Sequence, residues 1–209
     1  MEDYSTTKNR MEPGGDVWKI DGHVDRGGAP VLPLATLKAQ ILQHYSIAPA
    51  AVGVSSVHAA VTLADGVPTV VTTAITNPDY PRNVTIKGNA AGIAGDVVIT
   101  GTNILDEVIT ETIALNGATE VLGTKAFKTV TQIDLPARTT AGDTVSIGRG
   151  KVFGVPHIVA YAGMLLVKLF DGSTDSGSLT VDDDEIEKNV FSLNGSPNGS
   201  KLVDLYYLV

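Results

Sequence analysis

From about residue 52 onward, apolar and polar residues alternate with a period of two, in short β-branched segments separated by turn dipeptides. The segments are Val67 to Ile75, Asn83 to Lys87, Gly95 to Thr102, Glu107 to Leu115, Lys125 to Leu135 and Asp143 to Ile147. Asp65-Gly66, Asn77-Pro78, Asn116-Gly117 and Gly142-Asp143 stand between them. Strands this closely spaced leave no room for crossover helices, so the pattern excludes βαβ units. It predicts a mainly β fold, an antiparallel β-sandwich or barrel of jelly-roll-like form.

Aromatics are only 5% of the chain, so the apolar mass that fills its core must be Val, Ile, Leu and Ala. Further along, Val155 to Phe170 reads as two strands, or as one strand after a bend, with Leu165 to Phe170 favoured as the strand. Ser178 to Val181 follows a loop marked by Asp171-Gly172 and Ser176-Gly177, and the apolar ending Leu202 to Val209 reads as a closing strand.

Upstream the pattern differs. Leu34, Leu37, Ile41, Leu42 and Tyr45 fall at helical spacing behind Pro33, which predicts one short amphipathic helix over residues 34–45. Residues 1–30 are polar and Gly-rich, with too few apolar groups to order themselves, and read as an extended N-terminal arm on a β-rich domain of residues 31–209. Within the arm, Val17, Trp18 and Ile20 are the candidate interface residues. Trp18 is the only tryptophan in the chain, and tryptophan is a preferred interface anchor.

The formal net charge is −8, opposite in sign to a phosphate-binding surface, so nucleic acid is not an expected partner. No run approaches the roughly 18 apolar residues that a membrane span needs, and residues 1–10 lack an apolar signal region. The expectation is synthesis in the cytoplasm with no membrane partner. Cysteine is absent, which removes disulfides, thiolate nucleophiles and Cys-ligated zinc.

His23, His44, His58 and His157 show no metal-ligand spacing, and no nucleophile elbow, GxGxxG or Walker pattern occurs. Asp182, Asp183, Asp184, Glu185 and Glu187 form the one carboxylate-rich stretch that could interest calcium, but it lacks the alternation and central Gly of an EF-hand and reads as a solvated acidic turn. The loop from Asp171 to Gly177 has alternating oxygen donors, an arrangement common in β proteins without metal. The expectation is a protein that is not an enzyme and needs no cofactor.

The run Asn77-Pro-Asp-Tyr-Pro-Arg-Asn-Val-Thr-Ile-Lys-Gly-Asn89 leads into Gly95 to Thr102, Glu107 to Ile113 and Gly123 to Val130. The chain ends with Glu187-Lys-Asn189, Asn194-Gly-Ser-Pro-Asn-Gly-Ser200 and Asp204-Leu-Tyr-Tyr-Leu-Val209. Over roughly residues 75–209 these stretches resemble a β module of virion proteins encoded among tailed-phage head genes, in particular capsid decoration (cementing, head-stabilising) proteins. The resemblance implies a virion protein on the capsid exterior. Its partner would be the major capsid protein, and it would often be a homo-oligomer, a trimer at three-fold positions. Two alternatives remain open: a phage tail, baseplate or head-fibre protein, and a carbohydrate-binding β module.

Overall fold

The computed structural model describes residues 40–209, which form one compact unit. The arm over residues 1–30, with Val17, Trp18 and Ile20, lies outside the described residues, as do residues 34–39 of the expected helix. The described body is mainly β, and every ladder in it is antiparallel.

Fourteen strands run in chain order: β1 Leu42–Ile47, β2 Gly53–Thr62, β3 Thr69–Val71, β4 Arg82–Gly88, β5 Asp96–Thr102, β6 Val108–Ala114 and β7 Val121–Phe127, then β8 Thr129–Leu135, β9 Thr144–Gly154, β10 Leu165–Phe170, β11 Ser173–Thr174, β12 Ser178–Thr180, β13 Val190–Ser192 and β14 Val203–Leu208. They form three sheets. Sheet I has the order β1-β14-β10-β11, sheet II the order β12-β13-β9-β4-β7 with β2 also on β9, and sheet III the order β3-β8-β5-β6.

The alternation seen in the sequence places the side chains. In β5, Val97 and Ile99 are buried while Val98, Thr100 and Thr102 face outward, and the ladder to β6 runs unbroken from Asp96↔Ala114 to Thr102↔Val108. Gly66, Gly117 and Gly142 occupy left-handed backbone at the expected turns, as φ > 0 costs glycine least. Gly117 is also hemmed in, since a Cβ there would lie 2.5 Å from the Ala91 carbonyl oxygen.

Three expectations need correction. The helix over 34–45 is not formed at its C-terminal end, because Leu42 to Tyr45 belong to β1. Ile41, Leu42 and Tyr45 fit a helical period, but Tyr45 and Ile47 also share one face of a strand, and pairing with distant β14 decides between the two. Lys125 to Leu135 is not one strand. The chain turns at Lys128, whose N–H bonds the Thr102 carbonyl, and passes from β7 in sheet II to β8 in sheet III. Val67 to Ile75 shortens to β3, with Ala74 beyond it in left-handed backbone at φ 55°.

Two cores result. Val84, Ile86, Phe127, Val145 and Ile147 of sheet II pack against Val97, Ile99, Ile109, Ile113, Val130 and Ile133 of sheet III. Phe153, Leu179 and Phe191 of sheet II pack against Ile47, Val203, Leu205 and Tyr207 of sheet I. β9 is long enough to serve both, its first half lining one core and its last residues the other.

At the junction β4 slips register against both neighbours, between Asn83 and Thr85 toward β7 and between Arg82 and Val84 toward β9. Asn83 fills the gaps: its Nδ2 donates to the Gly123 carbonyl at 3.1 Å, and its Oδ1 accepts the Val152 N–H at 3.1 Å. Arg82, fully buried, lies over the Phe153 ring at 4.7 Å and donates to the Gly150 and Ala50 carbonyls and to Asp79 Oδ1. Burial opposes ionisation of Asp79. The Ala50 N–H and the Arg82 guanidinium outweigh it and hold the carboxyl below its usual range.

Two substitutions test this junction in urea unfolding followed by circular dichroism. Arg82→Met strips partners from Asp79 and two carbonyls and is expected to lower the unfolding free energy by more than about 3 kcal/mol. Thr85→Val removes a buried hydroxyl that has no partner among the described residues and is expected to raise it by about 1 kcal/mol. Equal midpoints for the Arg82 variant and the parent protein would contradict the assignment.

Candidate functional site

The carboxylate-rich stretch is a latch. Asp182 Oδ1 accepts the N–H groups of Asp184 (3.0 Å) and Glu185 (2.8 Å), which starts the 3-10 turn Ile186–Lys188. Those two N–H bonds, with smaller help from Lys188 and Lys125, hold the Asp182 carboxyl below its usual range. Lys125 of β7 reaches Glu185 at 2.7 Å and Glu187 at 3.1 Å, and Lys188 pairs with Glu185.

Glu187 is buried and also accepts from Asn103 Nδ2 at 3.3 Å, which ties the turn to the β5–β6 hairpin. Asn189 closes the loop from behind. Its Nδ2 donates to the Asp182 and Glu185 carbonyls, and its Oδ1 accepts the Val159 N–H. Asp183 and Asp184 alone point to solvent. The expected solvated turn is therefore only half right, because the period-free sequence gives no sign that Lys125, some sixty residues away, neutralises it.

The loop from Asp171 to Gly177 is equally committed. The Asp175 carboxylate is buried and accepts the backbone N–H groups of Gly177, Asn194 and Gly195, so its oxygens face the protein's own backbone. Among the described residues, no group of three or more His, Asp or Glu side chains is placed to hold a metal ion, and no helix is long and apolar enough to cross a membrane.

The histidines are dispersed. His157 Nδ1 lies 2.8 Å from the Tyr207 hydroxyl at the edge of the second core, and His58 Nδ1 lies 2.7 Å from the Ala59 carbonyl. His23 lies outside the described residues. His44 stands on the outer face of sheet I, stacked on Tyr206 with ring centroids 4.3 Å apart and 3.0 Å from Asp204 Oδ1. The Ser46 hydroxyl first, and His44 with it, hold the Asp204 carboxyl below its usual range.

That outer face is the feature that sequence reasoning missed. Register aligns Leu42 with Leu208, and His44 and Val167 on either side of Tyr206. The backbone of Ile41 pairs with Val209, and a bulge in β10 throws out Leu166. Leu42 (56% exposed) and Val167 (40%) thus share the outer face with Tyr206 at one end of sheet I, Leu166 (56%) projects from the bulge beside them, and Ile41 (62%) is exposed on the opposite side of the strand. The signal was present as alternation in Leu42, His44 and Ser46, hidden under a helical reading of the same residues.

Cations elsewhere are occupied. Arg82, Lys125, Lys128, Arg138, Lys188 and Lys201 sit in ion pairs, and Arg149, Lys151 and Lys168 donate to backbone carbonyls. Among the described residues, this leaves Lys87 without such a partner.

Lys125→Met is expected to cost about 3 kcal/mol, because it strands the buried Glu187 carboxylate. Adding Glu187→Gln is expected to recover part of that loss, as read by urea midpoints in a double-mutant cycle. Additive losses would mean that the two side chains do not act together.

Comparison with known protein families, curated proteins and solved structures finds no match to this chain.

Proposed function

We propose that this protein is a virion structural component that binds the outer surface of a tailed-phage capsid and stabilises it, with the major capsid protein as partner. The supporting observation is the exposed apolar end of sheet I, formed by Leu42, Leu166 and Val167. Large apolar side chains are exposed elsewhere on the body too, Val108 and Leu122 among them. Those of sheet I are set apart by lying at one end of a sheet, on and near its edge strand β1, a placement that suits a contact surface. The string resemblance over residues 75–209 supplies the kind of contact. In this reading residues 1–30, with Val17, Trp18 and Ile20, attach the body to the shell. The body belongs to the jelly-roll-like sandwich class, and three copies share each three-fold position. Repetition on a shell lets modest contacts add up, provided that several engage at once.

A carbohydrate-binding role is less well supported. Sugar stacking favours a platform of open aromatic rings: His44 already stacks on Tyr206, and among the described residues Tyr161 is the one exposed aromatic, with no second ring beside it. A tail, baseplate or head-fibre role would use the same surface.

Co-sedimentation with undecorated shells tests the proposal. Full-length protein should saturate the shells, deletion of residues 1–30 should weaken binding at least tenfold, and Leu166→Glu should weaken it measurably. Unchanged occupancy after the deletion would refute the attachment role. Binding to tails but not to shells would move the protein to the tail reading.

A further inference from the structure

Each sheet of an open β fold must deal with its edges, because unpaired N–H and C=O groups recruit other strands. Most edges here are guarded. β11 has two residues, β3 and β12 have three each, and β2 breaks register twice against β9. The neighbouring edges of β6 and β7 are bridged by Glu111, whose Oε1 accepts the Thr124 N–H at 2.5 Å and the Lys125 N–H at 3.3 Å.

β1 is the exception. Its six residues hold an unbroken register with β14, and they contain no Pro, Lys or Arg. Ile41 and Val209 exchange both backbone bonds, so alternation along the ladder directs the N–H and C=O of Leu42, His44 and Ser46 away from β14. None of these groups has a backbone partner among the described residues.

We propose that this edge pairs antiparallel with β1 of a second copy of the chain, about a two-fold axis at His44, joining two sheets I into one. The sequence of the strand is self-complementary in that register. Leu42 faces Ser46 of the partner copy, His44 faces His44, and Ser46 faces Leu42. Three such pairs exchange about six backbone hydrogen bonds. No like-charged carboxylates or ammonium groups oppose each other, and each His44 keeps its own Asp204.

The area argues for a reversible contact. A six-residue edge covers on the order of 400 Å² per copy, about half the ~800 Å² per partner of a standard interface. Such a pairing forms where copies are concentrated, and it stands independently of the capsid reading.

Sedimentation equilibrium of the full chain from about 10 μM to 1 mM, with amide hydrogen exchange, tests it. The expected result is a concentration-dependent doubling of mass, with exchange at Leu42, His44 and Ser46 slowed severalfold in step. His44→Lys, which sets two ammonium groups across the axis, should move the doubling to at least tenfold higher concentration. Ser46→Lys should do the same, and Val70→Lys on β3 should leave it unchanged. Three outcomes would overturn the pairing: constant mass up to 1 mM, doubling indifferent to both β1 variants, or protection of the three amides at every concentration.

Discussion

The buried guanidinium of Arg82 is the contact through which the two cores become one body. It sits where β4 loses register with both neighbours, at the place where β9 passes from one core to the other. A hydrophobic side chain there could fill space but could not satisfy the Gly150 carbonyl of β9 and the Ala50 carbonyl ahead of β2. The cost of burying the charge is met by Asp79, which in turn takes the Ala50 N–H. One ion pair thus fixes the segment before β2, the start of β4 and the middle of β9. Asn83 does the neutral half of the same work by closing both gaps with a single amide.

How far the sequence foretold this depends on the distance over which each decision is made. β5 and β6 were legible because their alternation is strict and their turns are local, and β10 because a short apolar run stands just before Asp171-Gly172. Asn116-Gly117 and Gly142-Asp143 announce themselves by residue type. β1 was not legible, since six residues with Leu, His and Tyr satisfy two periods and only the pairing with β14, some 160 residues away, decides between them. The length of β9 was hidden for a different reason. Gly148 and Gly150 look like breakers, yet they are required where Thr85 and Asn83 occupy the space a Cβ would fill. The break at Lys128 was hidden by continuity, because β7 and β8 have the same composition and differ only in the sheet they join.

The carboxylate stretch teaches the same lesson about sites. Read as residue types, Asp182 to Glu187 invites a cation. Folded, its oxygens are spoken for by backbone N–H groups, Asn103 and two lysines, and what remains outward is two aspartates. The Asp175 loop behaves alike. In both, the carboxylates serve loops that lack regular backbone partners, a common need in a β body whose connections must satisfy their own polar groups.

What the body leaves unsatisfied is therefore informative by contrast. Among the described residues, most of its cations are occupied, several of its loops are stapled by their own side chains, and most of its edges are shortened, bulged or bridged. Sheet I combines two unsatisfied features, an open strand edge and exposed aliphatic side chains, on strands held in place from beneath by Leu205, Tyr207 and Val203. A contact surface is useful only if its position relative to the rest of the protein is fixed, because ordering it on binding would subtract from affinity. Sheet I meets that condition through the second core to β9, and through β9 and Arg82 to the first. Rigidity in the interior and incompleteness at one edge are thus two aspects of one arrangement, the one that the proposed contact role requires.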